Sequence, residues 1–150
     1  MNVYHSPFES LGDGSEDEYT LYSLANEFME SALALKKLTP TNIKYTSSII
    51  YLLCHAAELF LKSILYSNGH SKAELKQHGH DLSSLLGMAT IETFNERNYF
   101  IINDVSSMYK DKEFEYRKNK NSKLPCIDDF AGEVNSLKEI AFNIAFSNNA

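Results

Sequence analysis

The chain has 150 residues, with 14 Lys and Arg against 20 Asp and Glu, a formal net charge of −6 and 43 % hydrophobic residues. That length buries one core without disulfide or metal staples, so a single domain is expected. The acidic balance argues against bulk attraction to a nucleic acid or an anionic membrane. Cys54 and Cys126 lack metal-type spacing, and Cys54 sits among core residues as a small hydrophobe. So few cysteines suit a reducing, cytoplasmic setting. There is no basic-then-apolar leader. The longest apolar run is interrupted by Glu58 and Lys62, so no membrane partner is expected.

Residues 1–17 combine Gly12, Gly14 and several serines with Glu9, Asp13, Glu16 and Asp17, the composition of an acidic, flexible arm. From residue 18 onward the pattern is helical. Leu21, Leu24, Ala25, Phe28, Met29, Ala32 and Leu35 recur at helical spacing to about Leu38, where Thr39-Pro40 stops the helix. Thr41 or Asn42 is placed to cap a second helix from about Ile43 to Ser67, ended by Asn68-Gly69. Ser71–Gln77 is polar with room for a helical turn. Leu82, Leu85, Leu86 and Ala89 predict a short helix with Asp81 at its start. A further helix is expected from about Glu92 to Tyr109. The stretch Lys110–Lys123 holds six basic residues against Asp111, Glu113 and Glu115, and reads as a solvated connection that could meet a phosphate locally. Pro125 suits the first turn of a last helix carrying Ile127, Phe130, Val134, Leu137, Ala141 and Ile144. No segment alternates as a strand does. The expected class is all-α, an antiparallel bundle of four to five helices.

The second helix is the most informative. Tyr51, His55, Glu58 and Lys62 step by four, three and four residues, so they form one polar stripe on an otherwise apolar cylinder. Such a stripe is either paired inside the protein or turned to a cleft or partner. Glu58 and Lys62 have the favourable order for an i,i+4 ion pair, with His80 or Tyr116 available for further hydrogen bonds. His78, His80 and Asp81, with His55, are metal-ligand types, but their spacing defines no ligand geometry. The simpler expectation is that His80 and Asp81 order a helix start and that no metal or other cofactor is bound.

The helix Ala57-Glu58-Leu59-Phe60-Leu61-Lys62, a glycine-containing turn, and then His80-Asp81-Leu82 with Leu85-Leu86 resemble the HEPN domain family. Phe114-Glu115-Tyr116-Arg117 is similar to the aromatic and basic segment many members carry before their last helix. The resemblance covers about residues 20–146. It implies a helical bundle that dimerises and serves in prokaryotic defence, toxin–antitoxin or nucleotidyltransferase-associated systems. Catalytic members are metal-independent ribonucleases that use an Arg followed, after four to six intervening residues, by a His. Arg97-Asn98 begins that pattern, but Ile102, Asn103 and Asp104 stand where the His is due. Arg117 is followed at the same interval by Ser122, Lys123 and Leu124, and no His occurs after His80.

The expectation is therefore a non-catalytic binding or assembly module, homodimeric, recognising a nucleotide, RNA or a protein such as a nucleotidyltransferase, toxin or antitoxin. Its binding residues would be Glu58, Lys62, His80, Asp81, Tyr116 and Arg117, with Arg97 and Asn98 as a second cluster contacting phosphate. The alternative is a ribonuclease with a rearranged site built on Arg97, Arg117 and His80, since RNA cleavage needs a proton-transfer group and a cation.

Overall fold

The computed structural model describes residues 17–38, 45–116 and 123–147, and for Glu115 and Tyr116 it describes the backbone alone. Residues 1–16 of the expected arm, the Thr39-Pro40 stop, the caps Thr41 and Asn42, and Arg117 lie outside the described residues. Every regular element among the described residues is helical: α1 (Glu18–Lys37), α2 (Thr46–Ser67), α3 (Lys72–His78), α4 (Leu82–Thr93), α5 (Phe100–Lys110), the single turn α6 (Glu113–Tyr116) and α7 (Ile127–Ser147).

Asp17, assigned to the arm by its composition, is the N-cap of α1. Its carboxylate accepts from the Thr20 amide at 2.8 Å, and the Thr20 hydroxyl accepts from the Asp17 amide at 2.8 Å. That reciprocal pair satisfies two of the amides a helix start leaves open. Leu21, Ala25, Met29 and Ala32 then turn one stripe of α1 inward.

α2 is the centre of the bundle. Ile50, Leu53, Phe60, Leu61, Ile64 and Leu65 are buried around its circumference, each stabilising the fold by roughly 1.5–3 kcal/mol. Its end is made by Gly69 at φ +103, a conformation other side chains resist. Contrary to the sequence expectation, α2 is long and apolar enough to cross a membrane. Most of that stretch is buried inside the fold, as in a core helix.

Helix directions follow from their contacts. The Ser63 hydroxyl donates to the Glu18 carbonyl, Tyr19 meets Phe146, and Lys36 pairs with Asp128. α1 therefore runs antiparallel to both α2 and α7, which makes α2 and α7 parallel. Tyr109 reaches Glu58 while Tyr99 lies near Ile64, so α5 also opposes α2. α4 runs alongside the second half of α2, with Asn68 bonded to Glu92. The bundle is thus of mixed direction and not simply antiparallel.

Several boundaries differ from those expected: α2 begins at Thr46 and not at about Ile43, and the turn α6 interrupts the connection Lys110–Lys123. The helix predicted from Glu92 begins at Phe100, because α4 continues to Thr93 and stops at Phe94, whose φ of 54° and ψ of 35° are left-handed. Pro125 stands two residues before α7, outside the first turn. There the Cys126 carbonyl accepts from the Phe130 amide at 3.0 Å.

Candidate functional site

Glu58 faces inward at the middle of α2, its side chain only 3 % exposed. An anion that deep needs donors on every side. One oxygen, Oε1, accepts from the Tyr109 hydroxyl of α5 at 2.8 Å and from His80 Nδ1, on the α3–α4 turn, at 2.5 Å. The other, Oε2, accepts from Lys62 Nζ at 3.0 Å. A second histidine completes the chain, with His55 Nδ1 2.9 Å from the Tyr109 oxygen. The stripe read from the sequence is therefore paired within the protein, and its carboxylate joins three parts of the bundle.

The hydrogen positions follow from what each group can do. A carboxylate only accepts, so His80 carries its proton on Nδ1 and Tyr109 donates its hydroxyl proton to Glu58. The Tyr109 oxygen must then accept from Nδ1–H of His55. Burial pushes the Glu58 carboxyl up, but the His80 hydrogen bond, the Lys62 ammonium and the Tyr109 hydroxyl together bring it below its ordinary value. Burial lowers His55, against the pull of Glu58 and with the help of His80 and Lys62, keeping it neutral. Burial and then the Glu58 charge push the Tyr109 phenol far up. The same two causes raise the Cys54 thiol well above its ordinary value, so Cys54 stays protonated and packs as a small apolar group.

The cluster is open on one side. The His80 side chain is 50 % exposed, and its Nε2 has no hydrogen-bond partner among the described residues. Its ring meets Tyr109 edge-on at 5.4 Å. Gly79, at φ +54, turns the chain between α3 and α4 and so delivers His80 to Glu58. Asp81 follows as the N-cap of α4, accepting from the Ser84 amide at 3.1 Å, with Lys110 Nζ 3.5 Å from its other oxygen. His78 turns instead to the Ser84 hydroxyl, 2.9 Å from its Nδ1. His55, His78 and His80 thus go to separate partners, and among the described residues no three His, Cys, Asp or Glu side chains converge as a ligand set.

Arg97 and Asn98 lie elsewhere, on the loop after α4. The Arg97 guanidinium donates to the Ser136 hydroxyl of α7 and sits 5.6 Å from the centre of the Tyr99 ring. His80 precedes the first turn of the 12-residue α4 and Arg97 follows its end, and their hydrogen bonds go to separate partners, Glu58 and Ser136. The Tyr116 side chain and Arg117 lie outside the described residues, though α6 packs against α2 and α5.

Two functional positions were not anticipated. Tyr109 was read only as the end of a helix, although its place after Ile102 and Val105 on the inward face put a polar tip in the core. Glu133 occupies the apolar face of α7 among Phe130, Val134 and Leu137, an irregularity visible in the sequence. Its carboxylate accepts from the Ile101 and Ile102 amides, each at 3.1 Å, and caps α5 from another helix. Compared with known proteins, the chain matches no family model, no curated protein and no solved structure.

Proposed function

We propose that this chain is a HEPN-like, non-catalytic binding and assembly module that works as a homodimer in a defence or toxin–antitoxin-type system. The observation that carries this reading is the separation of His80 from Arg97 along α4, each held by an internal partner. RNA cleavage asks one phosphate to meet a proton-transfer group and a cation together. The cation beside His80 is Lys62, and Glu58 already neutralises it. Lys110 is likewise paired with Asp81. With a net charge of −6, these pairings favour a protein partner over an RNA backbone, docking on the surface formed by His80, Asp81 and the end of α6. At that surface a nucleotide or RNA would depend on Arg117 for its phosphate contact.

One observation favours the second reading, a rearranged metal-independent ribonuclease. Glu58 fixes the His80 proton on Nδ1 and leaves Nε2 as the acceptor of a half-exposed ring, the arrangement of a general base. One experiment separates the two. The full chain is incubated with total RNA in EDTA beside His80→Ala, Arg97→Ala and Arg117→Ala, and its mass is followed by sedimentation. The module reading expects a dimer and no cleavage that depends on these residues. Cleavage lost in a variant that remains folded establishes the ribonuclease, and a monomer at every concentration removes the assembly role.

A further inference from the structure

A groove of about 160 Å³ runs between α4 and the loop leading into α5. Ser83, Gly87 and Thr90 form one wall, three positions on one stripe of α4 that span about 10 Å at helical rise. Arg97, Asn98 and Asn103 form the other. Gly87 is the unexplained residue. In a helix interior a glycine is less favourable than alanine, yet a Cβ built at Gly87, as at Gly132 of α7, meets nothing within 4 Å. Packing does not require the glycine there. What it does is keep the groove open, since any longer side chain would grow into it.

The residues opposite carry donors. Arg97 is fixed by Ser136 and by the Tyr99 ring, and among the described residues no carboxylate neutralises it. Asn103 Oδ1 accepts from the Ser83 hydroxyl at 3.0 Å, leaving its NH₂ group to donate. Asn98 adds a second amide. One guanidinium and two amides supply more donors than the two oxygens of a carboxylate accept, and suit the three terminal oxygens of a phosphate monoester. The volume is below the roughly 300–1,000 Å³ of sites for drug-sized ligands, so the occupant is a phosphate with a small polar body. The Ser83 and Thr90 hydroxyls donate to Asn103 Oδ1 and to the Leu86 carbonyl, which leaves their oxygens to accept from sugar hydroxyls.

We propose that this groove binds a sugar phosphate, free or as the ribose-phosphate end of a nucleotide, with Arg97 gripping the phosphate and Gly87 leaving room for the sugar. The proposal does not depend on the HEPN-like reading, whose leading residues Glu58, Lys62, His80 and Asp81 do not line the groove.

The test is an NMR titration of the ¹⁵N-labelled full chain with ribose 5-phosphate, adenosine 5′-monophosphate, ribose and acetate, followed at the Gly87 amide and the Asn98 and Asn103 side chains. Ribose 5-phosphate is expected to shift these signals saturably, and ribose is expected to leave them unmoved. Tighter binding of adenosine 5′-monophosphate identifies a nucleotide as the source, and weaker binding a free sugar phosphate. Gly87→Leu should weaken binding at least tenfold without lowering the melting temperature. Arg97→Gln, on an exposed loop, should weaken it similarly and serves if Gly87→Leu does not fold. Absence of saturable shifts with both phosphates, acetate binding as well as ribose 5-phosphate, or full affinity in either folded variant overturns the proposal.

Discussion

A buried carboxylate is stable as an anion only while donors surround it, and Glu58 has three on two oxygens. Glu58→Gln removes the charge that Lys62 and His80 answer. It is expected to destabilise the fold by about 3 kcal/mol, the lower end for a broken buried pair, because Lys62 keeps some access to water. Tyr109→Phe deletes one donor to the carboxylate and the acceptor of His55, at about 2 kcal/mol. Both changes act on one network, so the double variant should lose at least about 1 kcal/mol less than the sum. Urea unfolding of the four proteins measures this, and strict additivity would show that the groups act separately. The Glu58–Lys62 pair was legible because two charges on so apolar a helix had to be answered four residues apart. His80 could be named from its place in a motif. Tyr109 could not, because it lies 51 residues from Glu58 and only the packing of α5 on α2 brings them together.

The same contrast between local and distant causes governs the helices. α1 and α3 begin at capping boxes written within four residues, Asp17 with Thr20 and Ser71 with Glu74. α5 has no such signal, since its N-cap, Tyr99, makes no side-chain cap and Glu133 substitutes from α7. That is one reason its start was misplaced. The other is Phe94, which takes a left-handed conformation without being glycine or asparagine and gave no warning of a break. Phe94 is 90 % exposed, although an aromatic seven residues before Ile101 fits the hydrophobic period of a core face. If Glu133 is the cap of α5, Glu133→Ala should destabilise the protein by about 1–2 kcal/mol, as lost caps do. The effect should be localised. Amide exchange at Ile101 and Ile102 should accelerate more than at Val105, and uniform acceleration along α5 would mean the glutamate supports the bundle in some other way.

Across the whole molecule, two histidines respond to pH in opposite directions. His70, in the turn between α2 and α3, links α3 to α4, with Nδ1 2.9 Å from Glu74 and Nε2 2.8 Å from Glu92. Two carboxylates can be satisfied together only if both nitrogens carry hydrogen, so the clamp is an imidazolium. The hydrogen bonds to Glu74 and Glu92 accordingly raise its pKa from 6.5. Its stabilisation is complete below that unfolded-state value and is lost as pH rises through the higher folded-state one. His55 is the reverse case, lowered from 6.5 chiefly by burial beside Phe28, with Tyr109 as its hydrogen-bond acceptor. Its contribution is complete above 6.5 and is lost as pH falls through the lower folded-state value. Glu58 adds a loss only at more acidic pH, because its carboxyl lies below the usual 4.5. Thermal stability should therefore peak near pH 6.5 and decline on both sides. In melting curves taken from about pH 5 to 9, His70→Gln should flatten the alkaline limb and leave the acidic one. His55→Gln should lower the whole curve, since it breaks the bond to Tyr109, while flattening the acidic limb. An unchanged alkaline limb in His70→Gln would mean that the clamp between α3 and α4 is not held by charge.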